Sequence, residues 1–306
     1  MKIINGFVVI GCDQGYGNTK TANHCFKTGV LRYDTEPTFA AYLLTFRNQY
    51  YLIGEGHKEF LADKTADDDY YILTLAAVAC ELEAAGLTEA NVYLAVGLPL
   101  TWTAAQKTEF AAYLSRDEDV RFTYRKTDYH IRIVGVKVYP QGYAAIAQIK
   151  SQLSGVNLVA DIGNGTMNVL YIINGQPQSG KMFTEKFGVY QCTLAVREAF
   201  LRQTRRELND AIIDEIFRTG TANIRESDLA IVRATAAEYV AEIFRRLRDH
   251  GYDKDTMMLV ITGGGGCLIK RFYQFDAARV RFIDDICAAA KGYVYMAELQ
   301  IKAGQA

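Results

Sequence analysis

Three glycine-turned segments carry the residue types from which a phosphate site is built. The first, Asp13-Gln14-Gly15-Tyr16-Gly17-Asn18-Thr19-Lys20, places a carboxylate at the end of an apolar run, then two glycines, then a lysine. Glycines let backbone N–H groups approach phosphate oxygens, a lysine neutralises phosphate charge, and a carboxylate can hold a magnesium ion through its water shell. The second, Asp161-Ile162-Gly163-Asn164-Gly165-Thr166-Met167-Asn168, repeats the design. Two such loops facing each other would clamp a polyphosphate from both sides. The third is the run Gly263-Gly264-Gly265-Gly266, and a plain turn seldom needs four glycines because each raises the entropy lost on folding. Each segment also has a plainer reading. The first suits a β-hairpin with a surface lysine, Asp161 suits a turn-capping carboxylate, and the glycine run suits a strand-to-helix turn. Two other phosphate motifs are excluded. A Walker loop needs glycine directly before its lysine, where Thr19 stands, and a dinucleotide fingerprint needs a third glycine, where Lys20 stands.

The elements that must position these residues follow from the hydrophobic pattern. A β-branched run over 7–12 feeds the first loop, and 19–25 reads as one returning strand. Strand and turn character continues through 29–34, 39–46 and 49–54. Helical spacing over 70–85 ends at Gly86, 92–97 reads as a buried strand closed by Pro99, and 104–114 as a helix. Residues 120–139 read as two or three antiparallel strands, and 141–153 as a helix started at Pro140. The second half repeats this grammar: strand 158–162, turn, strand 166–173, helices over 189–206, 208–217 and 226–249, strand 258–262, strand 280–283 and helix 286–299. Strands mixed with helices in both halves make the chain α/β with two related halves.

With these pieces in order, the chain resembles the superfamily of actin, sugar kinases and heat-shock chaperones. Residues 13–20 look like its first phosphate loop and 161–168 like its second. Tyr139-Pro140-Gln141-Gly142-Tyr143-Ala144-Ala145 resembles the first connecting segment, Ile261-Thr262-Gly263-Gly264-Gly265-Gly266-Cys267 the adenosine motif, and Ala288-Ala289-Ala290-Lys291-Gly292-Tyr293 the second connecting helix. The asparagine- and lysine-containing first loop and the Pro-Gln-Gly-Tyr-Ala segment look most like the ParM/StbA-type segregation actins. The resemblance implies an α/β, actin-like (ribonuclease H-like) two-domain fold with duplicated mixed sheets flanking a nucleotide cleft. It implies one domain of 1–153 with 286–306 and another of 154–285. Asp13 and Asp161 would hold Mg2+ and its waters, Lys20 would contact the phosphates, and the backbones of Gly15 to Thr19 and Gly163 to Thr166 would cradle them. Gln141, where many relatives carry an acid, would orient the attacking water. Gly263 to Gly266 would receive adenine and ribose, with Lys270 and Arg271 beside them. Glu185 and Lys186, just before Gly188, fall where relatives place ribose or base contacts; a solvated charge pair is the other reading. ATP is the implied nucleotide, with GTP not distinguished from it. The implied partners are further copies of the chain in a polar filament and a DNA-binding adaptor of ParR type.

Composition narrows the classes. With 306 residues, half of them hydrophobic, the chain can bury a large core. Lys plus Arg number 34 against 35 Asp plus Glu, so no electrostatic footprint for direct nucleic-acid binding is expected. Neither an apolar stretch long enough to span a bilayer nor a cleavable leader is read, and the expected location is the cytoplasm. The six cysteines lack metal spacing and read as buried thiols; His24, His57, His130 and His250 are isolated in sequence, and Trp102 reads as a packing residue. A small-molecule kinase of the same superfamily is the alternative function, but it needs a carboxylate to deprotonate its acceptor where this chain has Gln141-Gly142. A chaperone-like ATPase would need a substrate-binding domain after the last helix.

Overall fold

Side chains that alternate between two apolar layers set the first unit, residues 1–149 with 287–306. The computed structural model describes residues 1–56 and 63–304. The strands β1 (Lys2–Ile4), β2 (Phe7–Gln14), β3 (Asn18–Lys20), β4 (Cys25–Lys27), β5 (Val30–Tyr33), β6 (Leu43–Phe46) and β7 (Gln49–Ile53) precede helix α1 (Asp69–Ala84). Then come β8 (Glu89–Leu98), α2 (Thr103–Leu114), β9 (Asp119–Tyr124), β10 (Thr127–Pro140) and the single turn α3 (Tyr143–Ile146). Among the described residues the sheet runs β4-β3-β2-β8-β10-β9-β6-β7-β5, with β1 on β2. Val8, Ile10 and Cys12 of β2 and Val92, Leu94 and Val96 of β8 point into one core with α1. Val9, Tyr93 and Ala95 point into the other, with the last helix. That is the period of two expected of a strand buried on both faces.

Helix α1 is buried from Tyr70 through Leu82 because it is apolar on nearly every side. Its polar exceptions are partnered: Thr74 accepts from the Gln14 side chain and Glu81 accepts from Asn23.

The second unit, 150–286, contains β11 (Val156–Ile162), β12 (Met167–Ile173), β13 (Gln176–Glu185), α4 (Val189–Thr204), α5 (Asp210–Thr219), α6 (Glu226–Asp249), β14 (Met258–Thr262), α7 (Gly266–Phe272) and β15 (Val280–Phe282). Its mixed sheet is ordered β13-β12-β11-β14-β15, and one face packs with the helices around Leu158, Ala160, Ile162, Val196, Val232 and Val240. Helix α8 (Ala288–Lys302) returns to the first unit. It lies close on the sheet and on α3 because glycines remove side chains at three crossings. A Cβ at Gly11 would sit 2.1 Å from the Ala290 carbonyl oxygen, one at Gly97 1.9 Å from the Tyr293 hydroxyl, and one at Gly292 1.9 Å from the Ala144 carbonyl oxygen.

Several expectations are corrected. The returning strand 19–25 is two short strands, because Thr21 N–H bonds the His24 carbonyl and turns the chain between β3 and β4. Residues 127–140 form one long strand, antiparallel to β9 but parallel to β8. The regular helix over 141–153 is replaced by the turn α3 and a 3-10 turn at Lys150–Gln152, joined by i to i+3 bonds such as Ile149 N–H to the Ile146 carbonyl. Three elements had no counterpart in the sequence reading, β1, β13 and α7. Cys25 and Cys267 are exposed, while Cys12, Cys80, Cys192 and Cys287 are buried; all six are free thiols. No helix among the described residues is long and apolar enough to cross a membrane.

Candidate functional site

The duplicated hairpins match down to their hydrogen bonds. In the first, Asp13 at the end of β2 stands opposite Lys20, and Gly15 N–H donates to the Asn18 carbonyl at 3.1 Å. In the second, Asp161 at the end of β11 stands opposite Asn168, and Gly163 N–H donates to the Thr166 carbonyl at 2.8 Å. Each carboxylate therefore pairs with the residue seven positions on, and the glycine two positions after it closes a turn of the same length. Each Asp-bearing strand also has a parallel neighbour on its other side, β8 for β2 and β14 for β11.

Asp13 is buried, and three groups converge on it from distant parts of the first unit. Gln141 Nε2 donates to its Oδ1 at 2.9 Å, the Tyr293 hydroxyl lies 3.4 Å from the same oxygen, and Lys20 Nζ lies 3.6 Å from Oδ2. Gln141 is held by its own N–H, which donates to the Leu98 carbonyl at 2.8 Å, and by Gly142, whose φ of 77° reverses the chain beside it. An amide that faces a carboxylate must present its NH2, so the Gln141 Oε1 is left as an acceptor. Sequence reasoning named Asp13, Lys20 and Gln141, and the structure brings them together. It did not assign Tyr293 to this carboxylate, since nothing in a helix-face tyrosine signals a partner 280 residues away.

The first hairpin is braced from within. The Thr28 hydroxyl donates to the Gly15 carbonyl at 2.7 Å and meets the Thr19 hydroxyl at 2.9 Å, while Thr28 N–H donates to the Gly17 carbonyl. Tyr16 is buried, and that burial pushes its phenol above the usual range; Asn18 is exposed at the tip. Lys64, which no sequence pattern singled out, donates to the Gln14 carbonyl at 2.6 Å. Burial pushes its ammonium down to about 8, against an upward pull from the Asp13 carboxylate.

The second hairpin is packed by glycines on both sides. Val189 and Tyr190 N–H at the start of α4 donate to the Gly163 and Asn164 carbonyls, and a Cβ at Gly188 would lie 2.4 Å from the Asn164 oxygen. The run Gly263 to Gly266 splits by role. A Cβ at Gly263 would lie 2.5 Å from the Ile162 carbonyl oxygen and 2.8 Å from Asp161 Oδ1, and one at Gly265 2.3 Å from Ile162 Cγ2. Gly265 N–H donates to the Ile162 carbonyl at 2.9 Å. These two glycines bring the start of α7 against the hairpin, Gly264 faces open space, and Gly266 begins α7.

Glu185 is committed to protein partners: Arg246 donates to it at 2.6 Å and His250 bonds its other oxygen. Burial pushes its carboxyl up, but the bonds from His250 and Arg246 outweigh this and hold it below the ordinary carboxylate range. Arg246 in turn lies over the Phe187 ring, 4.1 Å from its centroid. Lys186 is exposed, and Lys270 pairs with Asp284. Arg271 donates to the Arg218 carbonyl at 3.3 Å. Of the histidines, His130 pairs with Asp119 and His250 with Glu185; His57 lies outside the described residues. Among the described residues no cluster of three or more His, Cys, Asp or Glu could hold a metal unaided.

Comparisons with known proteins agree with this architecture. Residues 11–143 match the family model described as actin-like proteins N-terminal domain. A 15-stranded ParM filament from Clostridium botulinum has a similar structure, with a TM-score of 0.74 at 17% identity over 97% of this chain and 100% of that one. An archaeal actin homolog in complex with ADP gives 0.73 at 20% identity over 95% and 99%. Bacillus thuringiensis ParM with AMPPNP gives 0.69 at 12% over 97% and 100%. Among curated proteins none matches. Residues 11–143 thus carry the actin-like N-terminal domain, and the chain has, across its length, the fold seen in ParM proteins and an archaeal actin homolog.

Proposed function

We propose that this chain binds and hydrolyses ATP with magnesium and polymerises into polar filaments that segregate plasmid or phage DNA through a DNA-binding adaptor of ParR type in the cytoplasm. The observation that carries the nucleotide part is the contact of Gln141 with Asp13 at the root of a glycine-turned hairpin. It sets a neutral acceptor beside a carboxylate, where a water can be aligned on a phosphorus without being deprotonated first. Phosphoryl transfer passes through a loose transition state, so positioning and charge stabilisation matter more than a strong base. The filament part is supported by the likeness in fold to a chain solved in a ParM filament, and the nucleotide part by relatives solved with ADP and AMPPNP.

In this reading the backbone of residues 15–19 and 163–166 binds the phosphates, and Lys20 exchanges its pairing with Asp13 for a phosphate oxygen. Gly263 to Gly266, with Gly264 open, receive the adenosine. Asp13 and Asp161 are single carboxylates, which suits a magnesium ion that keeps most of its waters and takes its remaining ligands from phosphate oxygens. When bound with the nucleotide, that ion neutralises charge on the phosphates. Glu185 acts indirectly, by fixing Arg246 and Phe187 next to Gly188. Asp161→Ala is expected to abolish phosphate release while leaving the circular dichroism spectrum unchanged; near-normal turnover by that variant would remove Asp161 from the metal site.

A further inference from the structure

A buried ammonium lies beneath the first hairpin. Lys64 is only 2% exposed, its Nζ donates to the Gln14 carbonyl at 2.6 Å, and it lies 5.1 Å from the Tyr70 ring centroid and 5.8 Å from that of Phe110. Among the described residues no carboxylate lies within ion-pair distance of it. Lysines are almost never fully buried unless paired, and one backbone carbonyl with two ring faces compensates an ammonium only in part. A neutral donor such as glutamine would satisfy the same carbonyl at a lower desolvation cost, so the fold alone does not account for the charge.

The carbonyls of the hairpin show what the charge is for. Gln14 and Gly15 carry successive carbonyl oxygens at the root of the loop; Lys64 takes the first and the Thr28 hydroxyl, at 2.7 Å, the second. Neither lone-pair dipole is then presented to an anion. The Gln14 side chain is tied down as well, its Nε2 donating to the Tyr70 carbonyl and to Thr74 of α1. The loop is therefore held in one orientation by donors from beneath, one of them positively charged.

We propose that Lys64 is a positioning residue for nucleotide phosphates: it fixes the Gln14–Gly15 peptide and places a positive charge under the loop, favouring polyphosphates over the uncharged nucleoside. This rests on the assignment of residues 13–20 as a phosphate loop. It is tested by titrating the full-length wild type, Lys64→Met and Lys64→Gln with ATP, ADP and adenosine in magnesium buffer. Lys64→Met is expected to weaken ATP and ADP binding about tenfold, the scale of one charge-assisted hydrogen bond, and adenosine binding by less than about twofold. Lys64→Gln, which keeps a donor without the charge, is expected to lose less than Lys64→Met but still to discriminate by phosphate. If Lys64→Met fails to fold by circular dichroism, Lys64→Gln is judged by the same ratio of ATP to adenosine loss. Equal losses for ATP and adenosine, or ATP affinity within about twofold of wild type, would overturn the role of Lys64 while leaving the ATPase reading intact. Absence of ATP binding by the wild type would overturn both.

Discussion

Gly11→Ala tests the packing that places Asp13. Gly11 lies on β2 two residues before the carboxylate, and its added Cβ would fall 2.1 Å from the Ala290 carbonyl oxygen and 2.9 Å from Val294 Cγ2. That first distance is about 1 Å inside the 3.0 Å that real Cβ atoms keep, and since the opposing atom is helix backbone, no side-chain rotation relieves it. Either α8 lifts from the sheet or β2 bends. Overpacking costs about 1–3 kcal/mol, and a backbone obstacle puts this site at the upper end; the smaller entropy of an unfolded alanine returns about 0.5–1 kcal/mol, so a net loss of about 2 kcal/mol is expected. Urea unfolding followed by circular dichroism measures it. Gly180→Ala is the control: Gly180 has ordinary φ and nothing within 4 Å of its Cβ position, so a change within about 0.5 kcal/mol is expected. A loss below about 0.5 kcal/mol for Gly11→Ala as well would refute the argument that glycines set the seat of α8.

Other consequences are as direct. Gln141→Ala is expected to slow phosphate release about 100-fold, the effect of losing alignment of an attacking group, and to make filaments persist longer; an unchanged release rate would rule out its water-positioning role. Lys64 titrates at about 8 in the folded chain against 10.5 as its ordinary value, so between these pH values the unfolded chain binds more protons and stability rises with pH. The unfolding free energy of wild type relative to Lys64→Met is expected to rise by on the order of 3 kcal/mol across that window, and a flat difference in urea titrations at both ends would contradict the burial of a charged Lys64.

Strands that end in a carboxylate and glycine were legible because their apolar runs are buried on both faces, as in 7–12 and 158–162. Strand β13 was not, because Gln-Pro-Gln-Ser-Gly-Lys is an edge strand with neither alternation nor a buried face. Helix α7 is seven residues long and begins inside the glycine run, too short to show a period. The segment after Gln141 has helical composition, but its backbone is pressed against Gly292, and it tightens into i to i+3 turns. At the site, Asp13, Lys20 and Gln141 were named from residue type and order, and their convergence is a matter of topology: β2, β8 and β10 are neighbours in one sheet. Lys64 sits in the polar stretch Ala-Asp-Lys-Thr-Ala-Asp and resembles a surface lysine until the fold covers it. Two of the four glycines assigned to adenosine have a packing reason that sequence could not supply, since it lies in the close approach of β11.

The most direct test of the whole account is right-angle light scattering recorded in parallel with phosphate release, on purified protein with magnesium and ATP, ADP or no nucleotide. The account predicts scattering that rises only with ATP and decays as phosphate appears. Phosphate release with no scattering at any protein concentration, or scattering indifferent to nucleotide, would contradict it.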